Sequence, residues 1–321
     1  MNLMMLLGGG VLLYFGAEWL VGGASGLARA LGLPQLLIGL TVVAYGTSAP
    51  EIVVGVKASL AGSGAIALGN VVGSNIANLG LILGLTTLLK PARVDAALSR
   101  REVPVLVLST LAIPFVLFDG VVSRVEGGGL VLAAVAYSGW MVTSARRSMK
   151  RTMAGVDEMQ TAADLAGAPA PGSRVRMGLT AVVGLAFLVV GGSLFVDGAV
   201  GLATAFGISE RIIGLTIVAV GTSLPELATS LIAAFRGHSD IAVGNVVGSN
   251  IFNALLCLGA AALISPVQAP FASVQFDLVA LVVLTLFGAI SMGRPRLITR
   301  LEGGLLVAAY VTFLIALGRA E

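Results

Sequence analysis

The chain carries the same polar segment twice, each time inside apolar sequence. Residues 38–51 read I-G-L-T-V-V-A-Y-G-T-S-A-P-E, and residues 213–226 read I-G-L-T-I-V-A-V-G-T-S-L-P-E. Further on, residues 69–78 (G-N-V-V-G-S-N-I-A-N) match residues 244–253 (G-N-V-V-G-S-N-I-F-N), and both pairs are separated by 175 positions. Residues 16–30 and 191–205 match at that spacing too, and S-R-V-E-G-G from Ser123 resembles T-R-L-E-G-G from Thr299 at a spacing one residue longer. The duplicated unit therefore covers nearly the whole chain. A duplicated polar kernel in duplicated hydrophobic helices points to a two-fold pseudosymmetric transporter with its site where the repeats meet.

Hydrophobic residues make up 57% of the 321 and charged residues only 11%, whereas a soluble domain carries about 25% charged residues. The fold class expected is an all-α polytopic membrane protein. Apolar runs near the ~20 residues needed to cross a bilayer predict ten transmembrane helices, at about 3–24, 35–57, 66–89, 103–119, 126–144, 178–199, 210–235, 240–264, 276–292 and 301–318. The runs are continuous rather than alternating, which argues against a β-barrel. The first lacks a basic leader and a small-residue cleavage site, so it reads as a retained helix.

Fifteen of the 19 Lys and Arg follow odd-numbered helices, and only Lys57, Arg124, Arg211 and Arg319 fall on the other side. The positive-inside rule then puts odd-numbered loops in the cytoplasm and both termini outside, in what would be a prokaryotic inner (plasma) membrane. Five helices per repeat is an odd number, so the second repeat is expected to be inverted. The organisation predicted is a first five-helix repeat over 1–143 with its kernel at 38–91, a cytoplasmic linker over 144–176, and a second repeat over 177–321 with its kernel at 213–266. The linker is basic at first and then rich in Pro, Gly and Ala. Its basic patch would orient the chain and touch lipid headgroups. Nothing in the sequence implies a nucleic acid, a protein partner or a cofactor.

The kernels hold the chemistry. Thr47 and Glu51 are four apart and share a helix face, with Ser48 beside them; Thr222, Ser223 and Glu226 repeat this. Pro50 and Pro225 lack an N–H and clash one turn back, freeing carbonyls in the segments that contain Ala44 and Ala219. Free carbonyls at membrane depth must face a cavity, water or an ion. Ser74 and Asn78 are again four apart, as are Ser249 and Asn253, with Asn70, Asn75, Asn245 and Asn250 nearby. Gly73 and Gly248 allow close helix approach. The donors are all oxygen, without thiolate or imidazole, which suits Ca²⁺ and Na⁺ rather than zinc or copper. Two ionised glutamates in a low-dielectric site need about two positive charges, supplied by one Ca²⁺, two Na⁺ or two protons. Thr41, Thr216 and Cys257 read as packing residues, Lys57 as a helix end, and Trp19 and Trp140 as interface anchors. His238, in R-G-H-S-D, reads as a solvated loop histidine.

The paired G-T-S-x-P-E and G-N-V-V-G-S-N-I-x-N motifs resemble the α-repeats of the calcium/cation antiporter family, close to its prokaryotic sodium/calcium exchangers. The resemblance implies a central site formed by the second, third, seventh and eighth helices. There Glu51 and Glu226 would serve both Ca²⁺ and Na⁺, and the Thr47 and Thr222 carbonyls would join them on Ca²⁺. The Ala44 and Ala219 carbonyls with Ser48, Ser74, Ser223 and Ser249 would complete Na⁺ sites, and Asn78 and Asn253 would line the centre. Some members carry Asp where this chain has Asn253, which argues against potassium dependence. The first and sixth helices would slide to alternate access. The expected function is a secondary antiporter, not an enzyme, that exchanges Ca²⁺ for Na⁺. Ca²⁺/H⁺ exchange on the same scaffold is the alternative, and a passive cation channel a further one.

Overall fold

The computed structural model describes residues 1–154, 171–207, 219–293 and 297–320. The first half opens with α1 (Asn2–Leu31), whose chain turns out of the helix at Gly32 with φ 64°, a left-handed value that glycine adopts without strain. A broken pair follows, α2 (Gln35–Thr47) and α3 (Ala49–Leu60), bent by 42°. Pro50 sits in the first turn of α3, where a missing N–H is harmless, so the helix breaks at Ser48 and restarts. Then come α4 (Gly64–Leu89), β1 (Ala92–Arg93), α5 (Val103–Val116), β2 (Val121–Val122) and α6 (Arg124–Ala154).

The second half runs α7 (Pro171–Ala205), a broken pair α8 (Ala219–Gly221) and α9 (Leu224–Phe235), α10 (Ser239–Ile264), β3 (Val267–Gln268), α11 (Phe271–Met292), β4 (Leu297–Ile298) and α12 (Arg300–Ala320). Among the described residues, seven helices are long and apolar enough to cross a membrane, or eight if α2 and α3 form one span. At the places of the fourth and seventh expected spans stand α5, with 14 residues, and α9, with 12. The start of the seventh, with Arg211 and Thr216, and residues 155–170 of the connector lie outside the described residues. The connector's two ends belong to α6 and α7, because R-R-S-M-K-R is made largely of good helix formers.

Burial separates the helices into centre and periphery. In α4 and α10, 72% and 78% of the apolar window is buried inside the protein, against at most 33% in the other long spans. The two repeats of G-N-V-V-G-S-N-I-x-N thus form the middle of the molecule, and the remaining long helices turn most of their surface outward. Four short strands tie the halves together reciprocally. β1 pairs antiparallel with β4 (Ala92↔Ile298), and β2 with β3 (Val122↔Val267). β1 and β3 are repeat equivalents, as are β2 and β4, so each half lends one strand to each ribbon.

The small-residue pattern shared by residues 16–30 and 191–205 has a packing cause. A Cβ built on Gly16 would lie 2.8 Å from the Gly184 carbonyl oxygen, and one on Gly184 would lie 2.4 Å from the Leu20 nitrogen. Glycines seven apart let α1 and α7 touch backbone to backbone along their length. The S-R-V-E and T-R-L-E motifs are helix caps. Glu126 accepts from the Ser123 N–H at 2.8 Å while the Glu126 N–H donates back to Ser123 Oγ, and Thr299 with Glu302 does the same.

Candidate ion-binding site

The helix breaks put the two glutamates where a negative charge is best tolerated. Glu51 lies in the first turn of α3 and Glu226 in the first turn of α9, facing the unpaired N–H groups and positive dipole end of a half-helix. From Pro50 and Pro225 the sequence predicted freed carbonyls one turn back; that the helices break there and supply a dipole to each carboxylate was not read from it. Both side chains are fully buried.

The two halves of the site are cross-linked. Ser48 Oγ donates to Glu226 Oε1 at 3.0 Å, and Ser223 Oγ donates to Glu51 Oε1 at 3.3 Å. Ser249 Oγ adds a longer contact to Glu226 Oε1 at 3.5 Å. Each carboxylate therefore leans on a serine from the other repeat, and the pair is close enough for the two charges to repel.

The surrounding amides fix this frame. Asn70 Nδ2 donates to the Glu51 carbonyl at 3.0 Å, and Asn245 Nδ2 to the Glu226 carbonyl at 3.3 Å. Asn245 also accepts from Thr47 Oγ1 at 3.2 Å, and Asn75 Nδ2 donates to the Asn250 carbonyl at 3.2 Å. Immediately after these residues the central helices widen into π-turns at symmetric places, Asn78–Leu83 in α4 and Asn253–Cys257 in α10. A π-turn leaves backbone groups less regularly paired and is common at functional sites. Neither the amide ties nor the π-turns were predicted, although the constant 175-residue spacing of Asn70 and Asn245 was a signal available to find the former.

What distinguishes this cluster is what it leaves unpaired. Glu51 Oε2, Glu226 Oε2, both amide atoms of Asn78, Asn253 Nδ2, Asn75 Oδ1 and Asn250 Oδ1 are buried and lack a hydrogen-bond partner. Buried polar atoms without partners cost free energy; the five oxygens among them call for positive charge or a donor, and the two amide nitrogens call for an acceptor. Of the residues expected to line the site, Ser48, Glu51, Ser223, Glu226 and Ser249 are joined directly. Thr47, Ser74, Asn78 and Asn253 are buried, as is Ala44, whose carbonyl receives the Ser48 N–H at 3.0 Å. Ala219 begins the short helix α8. Thr222 is less enclosed than its equivalent Thr47: it lines a cavity of about 220 Å³ with Pro50, Pro225, Ser193 and Asp197.

His238 differs from expectation. It is partly buried, and its Nδ1 lies 3.0 Å from Gln35 Oε1. Burial, with Arg29 and Arg236 nearby, holds the imidazole below its usual pKa. It is a bridge between the loop before α10 and the start of α2, away from the glutamates.

Comparison with known proteins follows the same outline. The family described as "Sodium/calcium exchanger protein" matches residues 1–143 and 178–318. "Inner membrane protein YrbG" of Escherichia coli is 39% identical over 314 residues, 98% of this chain and 95% of that one. "Sodium/calcium exchanger MaX1" of Methanosarcina acetivorans is 33% identical over 343 residues, 98% of each. A solved structure of the sodium-calcium exchanger NCX_Mj soaked with Na⁺ and Ca²⁺ superposes with a TM-score of 0.83 at 33% identity, covering 98% of both chains.

Proposed function

The chain belongs to the sodium/calcium exchanger protein family, and we propose that it moves Ca²⁺ across the membrane in exchange for Na⁺ by alternating access. The family is one of transporters, not enzymes, and the chain is an integral membrane protein and a cation antiporter of that family. The observation that carries the finer reading is the pair of buried glutamates, one from each repeat, each held by a serine of the other and each with an oxygen left over. Two ionised carboxylates in a low-dielectric site are tolerable only with compensating cations. An all-oxygen ligand set fits Ca²⁺ and Na⁺. Ions that share those oxygens exclude each other, which is the requirement for exchange rather than cotransport.

In this reading Glu51 and Glu226 bind both ions, and the carbonyls of Thr47 and Thr222 complete the Ca²⁺ shell. The Ala44 and Ala219 carbonyls with Ser48, Ser74, Ser223 and Ser249 hold Na⁺, while Asn78 and Asn253 line the centre. The two halves are inverted five-helix repeats. Odd-numbered loops face the cytoplasm and both termini face outward across a prokaryotic inner membrane, as the distribution of Lys and Arg supports. The cavity at Thr222 and Asp197 then opens outward, and the glycine-joined pair α1 and α7 is the element that moves past the site to close it.

The test is Ca²⁺ uptake into vesicles holding the purified protein. A Na⁺ gradient at fixed pH should drive saturable Ca²⁺ movement, and a pH gradient without Na⁺ should not. Uptake driven by pH alone would assign the protein to Ca²⁺/H⁺ exchange, and non-saturable flux without a counter-ion would make it a channel.

A further inference from the structure

The two asparagines at the centre are related by the repeat but are not equivalent. Asn78 has both amide atoms buried and unpartnered. Asn253 does not: Cys257, four residues on in the same π-turn, donates its S–H to Asn253 Oδ1 at 3.3 Å, leaving only Nδ2 without a partner. The thiol is fully buried and within electrostatic reach of both Glu51 and Glu226, so the bond lies beside the glutamate pair. The equivalent of Cys257 in the first repeat is Ile82, also buried, which can donate nothing.

An amide has one acceptor end and one donor end, so holding the oxygen decides what the other end offers. We propose that Cys257 is a positioning residue that fixes Asn253 with its N–H₂ end available to the centre and its carbonyl turned away. The inference rests on the exchanger reading of the site. With Oδ1 engaged by the thiol, the second repeat's side of the centre presents a hydrogen-bond donor. It takes a carboxylate oxygen or a water and disfavours a monovalent cation. Asn78, unpinned, is free to turn its oxygen toward an ion. The sites for Na⁺ are thereby unequal between repeats although the residues that ligate them are the same, and the ratio of Na⁺ to Ca²⁺ affinity depends on a side chain that touches neither ion.

The measurement is ion-dependent thermal stabilisation of the purified full chain in detergent, titrated separately with NaCl and CaCl₂ against choline chloride. Cys257→Val releases the amide to turn its oxygen inward. Its half-saturating Na⁺ should fall about fivefold relative to half-saturating Ca²⁺, a change of the size of one net hydrogen bond. Cys257→Ser keeps a donor in place and should titrate like the wild type. Ile82→Cys gives Asn78 the same restraint and should raise half-saturating Na⁺ by a similar factor. Equal behaviour of the Val and Ser variants, whether both shifted or both unchanged, would overturn the proposal, because volume rather than hydrogen bonding would then decide. Should the Val variant not fold, an Ile82→Cys protein with unaltered Na⁺ titration overturns it instead. A wild-type protein stabilised by neither ion would be a different failure, that of the exchanger reading itself.

Discussion

Glu51 and Glu226 each place one carboxylate oxygen on a serine of the opposite repeat and leave the other free. Replacing either by Gln removes one of two formal charges from a site that is otherwise neutral. Losing one partner of a buried charge arrangement costs about 3–5 kcal/mol, on the order of 100-fold or more in ion affinity. Na⁺-driven Ca²⁺ uptake by Glu51→Gln or Glu226→Gln vesicles should fall below detection, and wild-type flux in either would refute the assignment. Ser48→Ala and Ser223→Ala remove a hydrogen bond to a charged group, worth about 1.5–3 kcal/mol. Each should weaken Ca²⁺ binding by roughly 10- to 100-fold, and the two should be matched because the bonds are equivalent. Asn253→Asp adds a third acid and should change the ion selectivity or pH profile of uptake. His238→Ala should leave flux unchanged. Its imidazole is held below its usual pKa by burial and by Arg29 and Arg236, so the neutral form is favoured in the fold. Its contribution to stability is present above the unfolded value of 6.5 and is lost as pH falls below it. The Ala variant should therefore show a shallower acid-side decline of Tm. The proposed ligand residues stood out in the sequence because they occur twice. Cys257 was not, because its role depends on a bond made only once, in one half.

At the scale of the elements, α1 and α7 make the sharpest case. Their glycines recur every seven residues, and at Gly16 and Gly184 an added methyl group would meet the facing backbone rather than a side chain that could move. Gly184→Ala should lower Tm by several degrees, since overpacking costs about 1–3 kcal/mol and backbone cannot give way cheaply. Gly22 on α1 has nothing within 4 Å of a built Cβ, so Gly22→Ala should hold or raise Tm, as glycine costs about 0.5–1 kcal/mol in a helix interior. Equal melting of the two variants would remove the packing argument. The sequence showed these glycines as a loose small-residue pattern but could not say which faces meet, because contact between distant helices is a property of the fold. The same limit applies to the broken helices. Proline fixed where α2 and α3 part, whereas the 42° bend and the approach of Ser48 to Glu226 are tertiary geometry, reached with α2 packed closely on Gly248 of α10. The strand exchange between β1–β4 and β2–β3 could not be read at all, since two-residue strands carry no periodicity.

The whole molecule is two similar halves that differ at a few places among the described residues. An ion pair joins Arg236 to Glu18 on α1, with Nε to Oε1 at 3.0 Å, while the equivalent positions in the other half are Ala61 and Ser193. Thr47 is sealed against Asn245, whereas Thr222 lines an open cavity. The proposed orientation rests on the basic residues, and since Cys257 is buried, single added cysteines can test it. Ala61→Cys should react with an impermeant maleimide from outside intact cells and Arg93→Cys only after permeabilisation; the reverse would invert the topology. Charge completes the argument. If Glu51 and Glu226 hold one Ca²⁺ as proposed, their two charges balance it and the Ca²⁺-loaded site crosses without net charge. If three Na⁺ load the same oxygens, the returning site carries one positive charge, and each cycle moves that charge through the membrane field. A charge crossing 100 mV is worth about 2.3 kcal/mol, roughly a 50-fold change in the equilibrium Ca²⁺ ratio. Vesicles clamped with K⁺ and valinomycin should therefore accumulate more Ca²⁺ when their interior is positive, the polarity that expels the Na⁺ charge. Accumulation independent of the clamp would mean that two Na⁺ balance one Ca²⁺.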